Sequence, residues 1–295
     1  MKPSQRPMKK LFKLPISEAL PTFVRDLDDG VVAIAYSKET GDLLSANFAD
    51  RSVRFCLKDD RILFRVPRPG KPNGLCVSAD GFSAIVRDDL GRVAWEVGIV
   101  TTVVRPLAGK RGVDAFSGRY KQDDVPVDRM NGICQIPGAV LVTADDSHCL
   151  FAVCEDSAVR LVGGNGTRGF SIAPSLQTSM LDSPGGVCVM SNKLLCVCDS
   201  GNAAIRVVNP SGMGHVRVFG NPMQKSKSDG DAATARMVRP EGICAIDGKA
   251  AFIDCGNSIR LLDPNAQLLR TLYESKGRIG SVACSQNEIY FTESA

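Results

Sequence analysis

Short runs in which apolar residues cluster or alternate recur along the whole chain, each closed by Gly, Asp, Asn or Pro. The stretch after Pro240 shows the unit best, with ICAI, AAFID, NSIRLL and QLLRTLY in succession and turn residues between them. Runs this short, rich in β-branched residues and without a 3.6-residue period, predict hairpin-linked strands, four to a unit. No longer segment carries a helical stripe that competes with this reading.

The unit is repeated. PNGLCV from Pro72, MNGICQ from Met130, PGGVCV from Pro184 and PEGICA from Pro240 share one phrase, and DGVVAI from Asp29 and IGSVAC from Ile279 are weaker relatives. With Gly30, Gly74, Gly132, Gly186, Gly242 and Ser281 as markers, the spacings are 44, 58, 54, 56 and 39 residues. A second mark falls on the outermost strand of each unit, an Arg behind apolar positions: Arg25, Arg65, Arg105, Arg160, Arg217 and Arg270. Six copies of four strands predict an all-β, six-bladed β-propeller of four-stranded antiparallel blades, one domain over 1–295. The last copy supplies only SVACS and EIYFTES, whereas KKLFKL and PTFVRDL precede the first inner strand. The N-terminal strands are therefore expected to pair onto the C-terminal pair and complete a shared last blade, which removes the edges an open sheet would expose.

Several side chains acquire expected duties from this frame. Asp50, Asp88, Asp145, Asp199, Asp254 and Glu293 fall at the ends of second strands, where short carboxylates satisfy turn N–H groups. Val32, Cys76, Cys134, Cys188, Cys244 and Ala283 are compact, as crowding near a propeller axis demands. The six outer Arg residues are expected to solubilise the rim while their stems cover apolar surface.

Composition narrows the chemistry. With 44% hydrophobic residues, 23% charged residues and a net charge of +4, the chain reads as an ordinary globular protein. It has no apolar run of bilayer length and no secretory-type apolar segment, so a cytoplasmic protein with no membrane association is expected. Lys2, Arg6, Lys9, Lys10 and Lys13 leave a mitochondrial presequence open. The 11 cysteines include no CxxC pair and read as free, buried thiols; Cys76, Cys134, Cys188 and Cys244 would surround an axis rather than meet at one ion. His148 and His215 are the only imidazoles, GGNGTRG from Gly163 lacks the Gly-Lys-Ser/Thr of a P-loop, and no Gly-x-Ser-x-Gly occurs. Neither a metal, a cofactor nor a catalytic residue is expected.

The stretches DSGNAAIRVV from Asp199, DCGNSIRLL from Asp254, GGNGTRGF from Gly163 and DGDAATARMVRPEGI from Asp229 resemble the NHL-repeat propellers. In those proteins a blade opens on Pro-x-Gly-apolar, reaches an Asp near a turn, and continues into an Asn-x-x-Ile-Arg type third strand. The resemblance implies the propeller fold and leaves function open, because such propellers include RNA-binding modules, protein-docking modules, amidating lyases and lactonase-like enzymes. The lyases need several His ligands for zinc, which two histidines do not supply.

The three longest inter-blade insertions, about 108–131, 163–185 and 220–241, all fall between a fourth strand and the next first strand, hence on one face. Long loops on a rigid frame favour recognition. The first carries Lys110, Arg111, Arg119, Tyr120, Lys121 and Arg129 against Asp114, Asp123, Asp124 and Asp128; the third carries Lys225, Lys227, Arg236 and Arg239 against Asp229, Asp231 and Glu241. An excess of one positive charge in each suits a protein or peptide partner at least as well as a phosphate backbone. Arg119, Tyr120, Lys121, Lys110, Arg111, Arg236 and Arg239 are accordingly the candidate binding residues of a non-catalytic scaffold. The alternatives are an RNA-binding propeller and a hydrolase or lyase with its site at the tunnel; no dedicated small-molecule ligand is expected.

Overall fold

The computed structural model describes residues 9–17, 20–28, 30–68, 70–78, 80–88, 94–108, 130–154, 159–209 and 214–294. Six antiparallel sheets, each built from consecutive hairpins except the last, stand around a common axis. Blade 1 comprises Val31–Tyr36, Leu43–Asn47, Ser52–Phe55 and Ile62–Arg65. Blade 2 comprises Pro72–Val77, Ser83–Asp88, Ala94–Gly98 and Val104–Ala108. Blade 3 follows with Met130–Ile136, Ala139–Ala144, Cys149–Cys154 and Val159–Gly163. Blade 4 has Val187–Val189, Leu195–Asp199, Ala204–Asn209 and Gly214–Gly220. Blade 5 has Pro240–Ile246, Lys249–Asp254, Ser258–Asp263 and Leu268–Glu274, with the short Gly230–Asp231 added at its outer edge.

Blade 6 closes the ring as expected. Arg278–Cys284 and Glu288–Ser294 pair with each other, Lys9–Pro15 pairs with Glu288–Ser294, and Thr22–Leu27 forms the outer edge. Phe12 stacks on Phe291 with centroids 5.5 Å apart, and the Lys13 ammonium donates to Glu288 at 2.9 Å. The two ends of the chain are thus held by main-chain ladder, apolar contact and an ion pair together.

Six separate apolar clusters fill the six junctions between neighbouring blades. They form because a strand buried on both faces offers one row of side chains to each neighbour. Near the axis the inner strands approach closely enough to explain the marker glycines. A Cβ on Gly132 would lie 2.5 Å from the Gly185 carbonyl oxygen, and one on Gly186 would lie 2.9 Å from the Ile243 nitrogen. Hydrogen bonds cross these approaches: the Gly186 N–H donates to the Glu241 carbonyl at 2.8 Å, and the Ile34 N–H donates to the Ser281 hydroxyl at 3.1 Å.

The structure shifts two sequence registers. Ladder pairing aligns Ile34, Leu75, Ile133, Val187, Ile243 and Val282, so Ala33 rather than Gly30 holds the marker position in blade 1, and Ala35 rather than Val32 the compact one. Asp29-Gly30 is a look-alike just before the strand, and the bulge between Val31 and Ala33 sits where blades 2, 3, 5 and 6 carry theirs. The same alignment puts Asn47, Asp88, Ala144, Asp199, Asp254 and Glu293 at one register, with Asp50 and Asp145 beyond it. The cysteines also differ from a uniformly free set: Cys244 and Cys284, on adjacent inner strands, form a disulfide with Cα atoms 5.9 Å apart, and the other nine form no disulfide.

Candidate functional site: the linker face and the axial chambers

The second-strand carboxylates do more than cap turns. Asp199 accepts from the Asp182 N–H at 2.8 Å and the Asn202 amide at 2.9 Å, and pairs with the Arg206 guanidinium at 2.7 Å. Asp254 likewise accepts from the Val238 and Arg239 N–H groups and pairs with Arg260 at 2.8 Å. All four charged side chains are fully buried. Burial pushes the Asp199 carboxyl up, against the pull of Arg206, the Asp182 N–H and Asn202. Each guanidinium then reaches into the linker that precedes its blade. Arg206 donates to the Ser171 and Met180 carbonyls at 2.9 and 3.1 Å and lies 4.4 Å from the Phe170 ring centroid. Arg260 donates to the Arg236 and Ser228 carbonyls at 2.6 and 2.8 Å and to Asp229 at 3.1 Å. Burial opposes the Asp229 charge, but the Thr271 N–H and hydroxyl and Arg260 outweigh it and hold that carboxyl below its ordinary range.

The linkers so fastened build up one face. In 220–241, Lys225 donates to the Gly201 carbonyl at 2.6 Å, Lys227 to Asn257 and Ser258 at 2.6 Å, and Arg236 to Gln224 and to the Ala233 and Ala235 carbonyls. Arg236 therefore braces its own linker. Arg239 is exposed, with Glu241 at 3.3 Å, and edges a depression of about 510 Å³ shared with Cys255, Asn257, Lys276 and Arg278. Lys276 and Arg278 are exposed and form no ion pair among the described residues. Lys110, Arg111, Arg119, Tyr120 and Lys121 lie outside the described residues. Sequence reasoning reached Arg239 and missed Lys276 and Arg278, which belong to a short linker with no charge cluster of its own.

The axis holds two chambers. The one opening toward the linker face, about 300 Å³, is lined by Asn73, Asn131, Ser183, Ser200, Arg239 and Glu241 with marker glycines. The other, about 430 Å³, is lined by Tyr36, Lys38, Glu39, Cys76, Cys134, Cys188 and the Cys244–Cys284 pair. Ile34, Leu75, Ile133, Val187, Ile243 and Val282, one from each blade, border both and form an apolar waist. Burial pushes the Cys134 thiol up to about 12 and also raises Cys76. Cys188 is raised by its contact with Cys196 and by burial. Raised in this way, the metal-free thiols are protonated near neutrality and are weak nucleophiles. No cluster of three His, Cys, Asp or Glu suited to a metal occurs among the described residues. His148 accepts the Ser183 N–H at 3.1 Å and sits 3.9 Å from Asp182, a structural use of the ring at the blade 3–4 junction.

Six four-stranded blades around an axial passage, closed by shared terminal strands, define a six-bladed β-propeller. The NHL repeat model matches residues 181–208, the stretch that carries Asp199 and Arg206. The chain is a six-bladed β-propeller that carries an NHL repeat at residues 181–208. No curated protein matches it in sequence. Among solved structures, a chain of a nidogen/laminin complex superposes with a TM-score of 0.65 at 14% identity, covering 94% of this chain and 99% of that one. A streptogramin B lyase gives 0.59 at 17% identity, with 97% and 81% covered. Virginiamycin B lyase from Staphylococcus aureus gives 0.55 at 14% identity, with 97% and 99% covered. At these identities the likeness is one of fold, and it joins a protein complex and lyases on the same architecture.

Proposed function

We infer that this propeller is a non-catalytic scaffold that binds a protein or peptide through its linker face. The observation that carries the reading is the depression between blades 5 and 6. Exposed Arg239, Lys276 and Arg278 surround it with Glu241 as the one carboxylate in its lining. Such a surface suits an acidic peptide segment, because three clustered cations against one carboxylate attract carboxylates and orient their approach. Arg119, Tyr120 and Lys121 would add an aromatic contact flanked by charge on the same face.

The test is recovery of partners from a native extract under nuclease treatment. It compares the intact chain with a folded Arg239→Glu, Lys276→Glu, Arg278→Glu variant and with an Arg119→Ala, Tyr120→Ala, Lys121→Ala variant. The expected result is a nuclease-resistant protein partner lost from the charge-reversed variant. RNA-dependent recovery, or substrate turnover with unchanged partner binding, would overturn the reading.

A further inference from the structure

A cleft of about 760 Å³ opens between blades 3 and 4 at the end of the molecule opposite the linker face, and it adjoins the larger axial chamber at Ile136, Pro137 and Val189. Its walls are Ile136, Leu141, Leu161, Val162, Val189 and Leu195, and the space exists for two reasons visible in the strands. The inner strand of blade 4, Val187–Val189, has 3 residues where that of blade 3, Met130–Ile136, has 7. In addition, Ala152, which pairs with Leu141 and Arg160, holds the register that Val207 holds in blade 4, paired with Cys196 and Arg217. Less side chain on one wall and a shorter strand on the other leave apolar surface uncovered.

The mouth of this cleft is cationic. Arg160 and Lys193 line it, both exposed, and among the described residues neither forms an ion pair and no carboxylate belongs to the lining. Lys193 is also held in a conformation that favours glycine. In blade 2 the first hairpin turn is closed by the Gly81 N–H donating to the Ser78 carbonyl, with Gly81 at φ 80°. In blade 4 the Lys193 N–H closes the same turn onto the Met190 carbonyl, with Lys193 at φ 63°. A side chain there costs about 1 kcal/mol that glycine would not.

We propose that this cleft binds a small amphipathic anion, an aliphatic chain ending in a single oxyanion, with the chain on Leu141, Ala152 and Leu195 and the head between Arg160 and Lys193. The volume lies within the range of small-molecule sites, and an apolar wall with a few placed polar groups is their usual composition.

Dodecanoate, below its micellar concentration, is the probe. Cys154 lines the cleft as a partly exposed free thiol, whereas Cys255 is an exposed thiol at the opposite face. Saturable binding should slow alkylation of Cys154, mapped by peptide mass, and leave Cys255 unchanged. Dodecanol should bind about tenfold more weakly for lack of the charged contacts. Dodecyl phosphate beside dodecanoate distinguishes a phosphate head from a carboxylate one. Lys193→Gly, which matches the turn of blade 2, should keep or raise Tm and weaken dodecanoate binding about tenfold. Ala152→Leu should fill the cleft and abolish protection. Glu155 and Asp156 lie outside the described residues, so dodecyltrimethylammonium is the opposing arm. Tighter binding of that cation, undiminished binding by Lys193→Gly, or an unchanged Cys154 rate at saturating dodecanoate would each overturn the proposal.

Discussion

Blades 4 and 5 treat one ladder position differently from blades 2, 3 and 6. Pairing places Arg206 and Arg260 at the same register of the third strand, together with Arg54 in blade 1, while Trp95, Phe151 and Phe12 stand there in the other three. In blades 4 and 5 the guanidinium is fully buried, neutralised by an Asp from the second strand, and donates to two linker carbonyls. In blade 1, where only a few residues separate Leu27 from Val31, Arg54 remains partly exposed and pairs with Asp50 close by in sequence. The aromatic blades use the position for packing: Phe12 stacks on Phe291, and Trp95 lies 5.9 Å from Phe64. Blade 3 carries Phe151 although the segment before it is long, and residues 109–129 of that segment lie outside the described ones. One ladder position therefore serves either to weld blade to blade or to fasten a long linker down, and only the second use needs a buried charge.

That contrast orders the expected effects. Arg206→Met or Arg260→Met leaves a buried carboxylate unpaired and linker carbonyls unsatisfied, and each should cost about 3–5 kcal/mol in denaturant unfolding. A loss below about 1 kcal/mol would remove the ion pairs from the account. Arg54→Met, at the same register with solvent available, should cost at most about 1 kcal/mol.

Acid provides an intermediate effect. The Lys13 ammonium and the Tyr290 hydroxyl hold the Glu288 carboxyl below its ordinary range despite burial, and Ser52 and Arg54 overcome burial to do the same for Asp50. A carboxyl lowered in the folded state contributes stability above its unfolded pKa, about 4, which is lost as pH falls through the folded value. Tm should therefore fall below about pH 4, and Lys13→Met should flatten that slope by removing the share of Glu288. Asp199, pushed up by burial, has the opposite sign and blunts the slope. The smallest effect is a count: denatured protein kept from reductant should titrate nine thiols, and eleven after reduction.

The ring and its closure were legible because each rests on repetition: six apolar phrases, six outer Arg residues and two half-blades that complement each other. Blade 1 slipped by three positions because Ala33 stands where the other blades carry Gly or Ser, while Asp29-Gly30 resembles the marker. Arg206 and Arg260 stood in plain view inside the repeat motif, yet their role stayed hidden, since their partners are main-chain carbonyls as far as 35 residues away that no side-chain pattern announces. The Arg239, Lys276 and Arg278 rim was only partly legible for a related reason, being assembled from two blades with two of its cations, Lys276 and Arg278, at a linker too short to attract notice.

Amide hydrogen exchange across 221–239, compared between the intact chain and Arg260→Met, tests most directly whether buried guanidinium groups make the linker face a fixed platform. The account predicts that Ser228, Arg236 and their neighbours lose protection by several orders of magnitude more than the inner strands Pro240–Ile246 and Arg278–Cys284. Unchanged protection of 221–239 in a folded variant would contradict it.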